Sequence, residues 1–144
     1  MVVNITYRNK QIDKKINEFI GQPFSLLEKI KMKGIGTSKM QILEANKALE
    51  DLFSPHLDTR YCYLELRPKG LIVGFQSVYK TYVWLIPFFY LNIYFNSGLL
   101  SIYSKQDFMK MKPPFNGSVD KKYLKKVLVA RADYLGKNQF RNLN

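Results

Sequence analysis

The segment Tyr79–Tyr103, YKTYVWLIPFFYLNIYFNSGLLSIY, decides how this chain folds. From Thr81 to Ser104 it carries no charged side chain, and it holds the only tryptophan, Trp84. An uncharged run of this length is a candidate for a helix that spans a bilayer. Pro87 stands in its most apolar part, where it would remove a backbone donor and break a helix. Asn92 and the turn cluster Asn96-Ser97-Gly98 add polar groups that a lipid-facing helix would have to satisfy. Most other residues are aromatic or β-branched and fit a pleated, half-buried surface. The segment is read as sheet.

Its register follows from alternation. Phe89, Leu91, Ile93 and Phe95 fall on one face of a strand over 88–95, and Phe88, Tyr90, Asn92 and Tyr94 on the other. With Ser97-Gly98 as a two-residue loop, Phe95 faces Leu100, Ile93 faces Ile102, Tyr94 faces Ser101 and Asn92 faces Tyr103. A slip by one residue would mix the two faces, so the pattern selects this loop. Before Pro87, Tyr82, Trp84 and Ile86 alternate with Val83 and Leu85. A strand apolar on both faces is central or covered by a helix. The core is expected to hold Trp84, Phe89, Leu91, Ile93, Leu100 and Ile102.

Period 2 extends upstream. Cys62, Leu64 and Leu66 point one way, and Tyr61, Tyr63, Glu65 and Arg67 the other. Pro68-Lys69-Gly70 is a turn, and Leu71–Phe75 returns, so 60–76 is a hairpin. Downstream, Lys105-Gln106-Asp107 turns into a strand over 108–112, ended by the Pro113–Gly117 cluster.

The first third reads as helical after a short strand in Val2–Tyr7. Asn9 caps a helix over 10–20 with a stripe of Ile12, Ile16, Phe19 and Ile20, stopped by Gly21. Pro23 opens a second helix that runs to Gly34. Ser38 and Gln41 have capping-box spacing for a third, whose stripe is Ile42, Ala45, Leu49, Leu52 and Phe53 before Pro55. Gly34-Ile35-Gly36-Thr37-Ser38 lacks the spacing and the Lys-Ser or Lys-Thr ending of a phosphate loop and reads as a connection. The last helix starts near Ser118 and ends near Leu135 at Gly136. Val119, Tyr123, Leu124, Val127, Leu128 and Leu135 form its apolar face, with Leu124, Val127 and Leu128 expected over the sheet. Lys137–Asn144 has no pattern and is expected to be a mobile tail.

The fold class is α+β in a single domain over 1–144. It comprises a helical part (1–59), an antiparallel sheet with a C-terminal helix (60–135) and the tail (136–144). At 144 residues and 47% hydrophobic content the chain can bury a substantial core. Lys and Arg outnumber acids 23 to 11, giving a net charge of +12 that draws the protein toward polyanions. MVVNITYRNK has no apolar signal core, and the lone cysteine forms no internal disulfide. An unexported, cytoplasmic protein is expected, with membrane association open.

Catalytic chemistry finds few residues. His56 and Cys62 are the only residues of their kinds. Cys62 alternates with leucines as a buried apolar residue, and His56 with Asp58 and Cys62 is short of the four ligands of a structural zinc site. No nucleotide fingerprint follows a strand, so no cofactor is expected. A basic patch has more support. Lys105, Lys110, Lys112, Lys121, Lys122, Lys125 and Lys126 are opposed only by Asp107 and Asp120. With Tyr61, Tyr63, Tyr90 and Tyr94 on an open sheet face, such lysines hold single-stranded nucleic acid by phosphate contacts and stacking. On the outer face of an amphipathic helix they also serve simply as solvated charge.

LELRPKGLIVGF (64–75), IPFFYLNIYF (86–95) and KKYLKKVLVARADYL (121–135) follow one another as hairpin, proline-led strand and final helix. In this respect 60–135 resembles a pleckstrin-homology-like domain of the bacterial type. The resemblance implies a strongly bent antiparallel sheet, a partial barrel closed at one open end by the helix, and a role in binding proteins or membranes. No phosphoinositide motif matches, and 10–53 stands outside the pattern. The reading is a non-enzymatic binding or scaffold module with a basic surface and a protein partner. Nucleic acid or an anionic membrane surface is the alternative partner, and a small enzyme stands third.

Overall fold

The computed structural model describes residues 1–37, 39–53, 55, 59–113 and 121–138. Along these, the elements are β1 (Val2–Asn4), α1 (Lys10–Ile20), α2 (Leu26–Lys31), β2 (Met40–Ala45), α3 (Lys47–Glu50), β3 (Tyr61–Arg67), β4 (Gly70–Ser77), β5 (Lys80–Pro87), a 3-10 turn (Phe88–Tyr90), β6 (Asn92–Asn96), β7 (Leu99–Ser104), β8 (Asp107–Lys112) and α4 (Lys121–Asn138). The strands make one antiparallel sheet in the order β1-β5-β4-β3-β2-β8-β7-β6. No helix among the described residues is long and apolar enough to cross a membrane.

The β6–β7 hairpin has the register that its alternation predicts, with Phe95 opposite Leu100, Ile93 opposite Ile102, Tyr94 opposite Ser101 and Asn92 opposite Tyr103. Ser97 and Gly98 both take positive φ, 53° and 78°. That is the type I′ geometry whose twist matches the flanking strands.

Both faces of the sheet are used. One carries the large core, where Leu64, Phe75, Trp84, Leu100, Ile102, Met109 and Met111 meet Tyr123, Leu124 and Val127 of α4. The other carries a smaller cluster, in which Ile16 and Ile20 of α1 cover Val3, Ile72, Val83 and Leu85. β5 is therefore apolar on both faces because α1 covers one of them. Asn9 caps α1 by accepting from the Ile12 amide, and Gly21 ends it at φ 88°.

Several expectations are corrected. The third helix is replaced by strand β2 and the short α3, while its proposed cap, Ser38, lies outside the described residues. The cause is a register shift in β2 between Ile42 and Glu44. An extra residue in a bulge moves the buried positions to Met40, Ile42 and Ala45, and the last step of three mimics a helical stripe. β2 also pairs with β3 on one side and with β8 on the other, joining them into one sheet. Asn46 locks the turn after it, with Nδ2 donating to Asp107 (2.7 Å) and Oδ1 accepting from the Phe108 amide (3.0 Å). The first third thus contributes two strands and is not simply helical.

α2 is shorter than 23–33, because Ser25 rather than Pro23 starts it. The strand expected over 88–95 begins with the 3-10 turn. Phe88 is fully buried and Phe89 is 46% exposed, the reverse of the expectation. Ile93 is half-buried. Helix α4 passes through Gly136, which does not end it; Ser118, Val119 and residues 139–144 lie outside the described residues. Its buried side runs through Tyr123, Leu124 and Val127, while Leu128 is 48% exposed. The helix is turned this way because the Tyr123 hydroxyl donates to the Ile35 carbonyl (2.8 Å) and Tyr134 packs on Phe88 and Phe89. Leu124→Ala is accordingly expected to cost about 2–3 kcal/mol. Leu128→Ala should stay within about 0.5 kcal/mol. Equal losses in urea titrations would contradict this orientation.

Candidate functional site

α2 is a helix of six residues with no buried side chain. Leu26, Leu27 and Ile30 are 74%, 71% and 64% exposed. Its conformation is nonetheless fixed at both ends. Ser25 Oγ accepts from the Glu28 amide (3.2 Å) and Glu28 Oε1 accepts from the Ser25 amide (3.0 Å), a reciprocal cap. These bonds to Ser25 hold the Glu28 carboxyl below its ordinary pKa. At the exit, Lys33 takes the left-handed conformation (φ 58°), its amide donates to Ile30, and the Gly34 amide donates to Lys29. That is a Schellman ending with lysine where glycine is usual. Phe24 and Met32, on either side of the helix, pack against the large core. The apolar residues between them are held outward.

Helix α4 is tied to this exit. Lys126 Nζ donates to the carbonyls of Lys33 (2.9 Å) and Gly34 (3.1 Å), next to the Tyr123–Ile35 bond. These bonds bring Lys121, Lys122, Lys125 and Lys126 to the same corner as Lys29, Lys31 and Lys33. Lys31, Lys33, Lys121, Lys122 and Lys125 are exposed. Burial and a distant carboxylate, Glu65, push the Tyr123 hydroxyl pKa up, so it stays a neutral donor. The glycine segment 34–37 is not an anion loop, since the Gly34 amide is used within the helix ending and the Thr37 amide donates to Leu64 (3.0 Å).

The other predicted lysines are placed elsewhere. Lys105 lies in the β7–β8 turn at φ 56°, with Nζ 4.5 Å from the centre of the Tyr90 ring. Lys110 and Lys112 are on β8, and Lys110 Nζ is 3.6 Å from Glu44. The four tyrosines also divide. Tyr61 and Tyr63 are on β3, separated from Tyr94 on β6 by β2, β8 and β7, and Tyr90 belongs to the 3-10 turn. Tyr61 carries Lys39 over its ring at 4.1 Å, and the Tyr63 ring lies on Gly74, where any β-carbon would collide with it. Tyr94 stands edge-on to Tyr103, which stacks on Phe108, a row across three strands that the sequence reading did not assemble.

Cys62 is buried, its sulfur 3.5 Å from Met111 Sδ, and burial pushes its thiol up to about 12. It is no nucleophile at neutral pH. His56 and Asp58 lie outside the described residues. Among the described residues no group of three or more His, Cys, Asp or Glu side chains converges. A cleft of about 510 Å³ on β3–β5, lined by Lys39, Tyr61, Tyr63, Gln76 and Thr81 among others, has no carboxylate among the described residues of its wall. No family model, curated protein or solved structure matches the chain.

Proposed function

We propose that this chain is a non-enzymatic binding module of pleckstrin-homology-like build that docks on an anionic membrane surface through α2 and the first turns of α4. The observation that carries the reading is the outward set Leu26, Leu27 and Ile30 on a doubly capped helix, beside lysines of two elements. Apolar residues on a rigid helix with a basic rim fit the boundary between headgroups and acyl chains. Each lysine near an anionic surface adds about 1 kcal/mol of attraction at physiological ionic strength. The partial-barrel build is supported by two antiparallel meanders, β5-β4-β3-β2 and β8-β7-β6, joined through the β2–β8 pairing, and by the α4 side chains in the large core.

The test is partition of the full chain onto vesicles of phosphatidylcholine with and without phosphatidylserine. Binding is expected only with the anionic lipid and should weaken with salt. Replacing Leu26, Leu27 and Ile30 together by Gln should abolish it, since each buried apolar side chain contributes roughly 1.5–3 kcal/mol. Equal partition of this variant and the native chain would overturn the reading.

A second reading rests on the row Tyr94–Tyr103–Phe108 with Lys110 beside it, its Nζ 5.9 Å from the centre of the Phe108 ring, which suits stacking of single-stranded bases. It predicts an affinity for oligonucleotides that falls linearly on a log–log salt plot and is lost in Tyr103→Ala.

A further inference from the structure

We infer that the free edge of β6 is an interface with a second copy of this chain, the two strands pairing antiparallel about a two-fold axis at Tyr94. β6 ends the sheet, and β7 alone pairs with it among the described residues. The type I′ turn makes Asn96 and Leu99 a hydrogen-bonded pair, so Tyr94–Ser101 and Asn92–Tyr103 are hydrogen-bonded pairs as well. The N–H and C=O groups of Ile93 and Phe95 therefore point to the unpaired side.

That spacing is self-complementary. Rotating β6 about Tyr94 sets Ile93 opposite Phe95 of the second copy, and Phe95 opposite its Ile93. Both are hydrogen-bonded pairs, with four bonds in all. Tyr94 then faces Tyr94 as the close, non-hydrogen-bonded pair, and Asn92 faces Asn96. The sequence Asn92-Ile93-Tyr94-Phe95-Asn96 reads alike in type from both ends, polar, apolar, aromatic, apolar, polar.

Two further facts favour a second copy as the occupant. Sheet edges are normally protected by charge, proline or shortness. β6 has none of these over five residues, whereas β1 at the opposite end of the sheet has only three. In a chain of net charge +12, the five residues Asn92–Asn96 themselves put no charged side chain on the pairing edge. Four of the five β6 residues are exposed, among them Tyr94 and Phe95 (60% and 40% exposed), giving a dimer apolar contact beyond the strand bonds. This inference rests on strand pairing and is independent of the membrane reading.

Sedimentation velocity of the full chain from micromolar to near-millimolar concentration should show conversion to twice 16.9 kDa. Phe95→Pro removes only an outward N–H, a position where an edge strand tolerates proline, and should leave a folded monomer at every concentration. Tyr94→Cys should give a covalent dimer under mild oxidation, because the two cysteines would face each other at the axis while Cys62 is buried. Should Phe95→Pro fail to fold, the cross-link decides. A native chain that stays monomeric throughout, a dimer that survives Phe95→Pro, or a dimer without the Tyr94→Cys cross-link would each overturn the proposal.

Discussion

Arg67→Leu is expected to destabilise the protein by about 3 kcal/mol, lowering Tm by about 6–12 °C for a domain of this size. Arg67 is 3% exposed, and its guanidinium makes three bonds: Nε to Glu65 (2.7 Å), and Nη1 to Asn17 (3.1 Å) and to the Gly21 carbonyl (3.0 Å). It therefore joins β3 to the last turn of α1. The same junction contains the Lys69 amide bonded to the Ile20 carbonyl (3.0 Å), and Pro68 lies over Gly21. Leucine fills part of the volume but leaves a carboxylate, an amide and a carbonyl without their donor, and that unmet desolvation is the main cost. Arg67→Lys should recover little, because an ammonium cannot reach carboxylate, amide and carbonyl in one fork. Thermal unfolding by circular dichroism measures both variants. A melting point of Arg67→Leu within about 2 °C of native would show that α1 is held by Ile16 and Ile20 alone.

Arg67 also shows how far alternation carries. Its place beside Tyr61, Tyr63 and Glu65 on the outer face of β3 is legible from period 2, but its burial is not, because the cover comes from α1. Local signals suffice where the chemistry is local. Ser97-Gly98 specifies its own turn and thereby five cross-strand pairs, and Asn9 and Gly21 delimit α1 within one residue. β2 failed for the opposite reason. Its bulge erases period 2, and its strand state is imposed by pairing with β3 and β8, distant in sequence. The candidate site divides in the same way. Lys121, Lys122, Lys125 and Lys126 are visible as a basic helix face, whereas the sequence of 23–33 gives a helix and singles out none of Leu26, Leu27 and Ile30. Only their outward placement sets them apart, and no residue of α2 encodes that by itself. It follows from the anchoring of Phe24, Met32 and Ile35 on the large core.

The exchange of Phe88 and Phe89 gives the second large effect. Pro87 (φ −61°, ψ 146°) leads not into a strand but into the 3-10 turn, whose Leu91 amide donates back to the Phe88 carbonyl (3.3 Å). With three residues per turn, positions 88 and 91 share a side, and both are fully buried. The Phe88 amide donates to the Lys69 carbonyl (2.9 Å), fixing the turn against the β3–β4 connection. The Phe88 ring packs at 5.6 Å on Tyr134, whereas Phe89 meets the same ring edge-on from the solvent side. Phe88→Ala is expected to cost about 3–5 kcal/mol in urea unfolding. Phe89→Ala loses little more than one aromatic contact, about 1 kcal/mol. Because Tyr134 rests on Phe88, Phe88→Ala should also raise amide exchange in the last two turns of α4 while leaving its first turns, held by Tyr123 and Lys126, protected. If Phe89→Ala proved the costlier change, the chain would be continuing as a regular strand through Pro87, and the seating of α4 on this turn would be wrong.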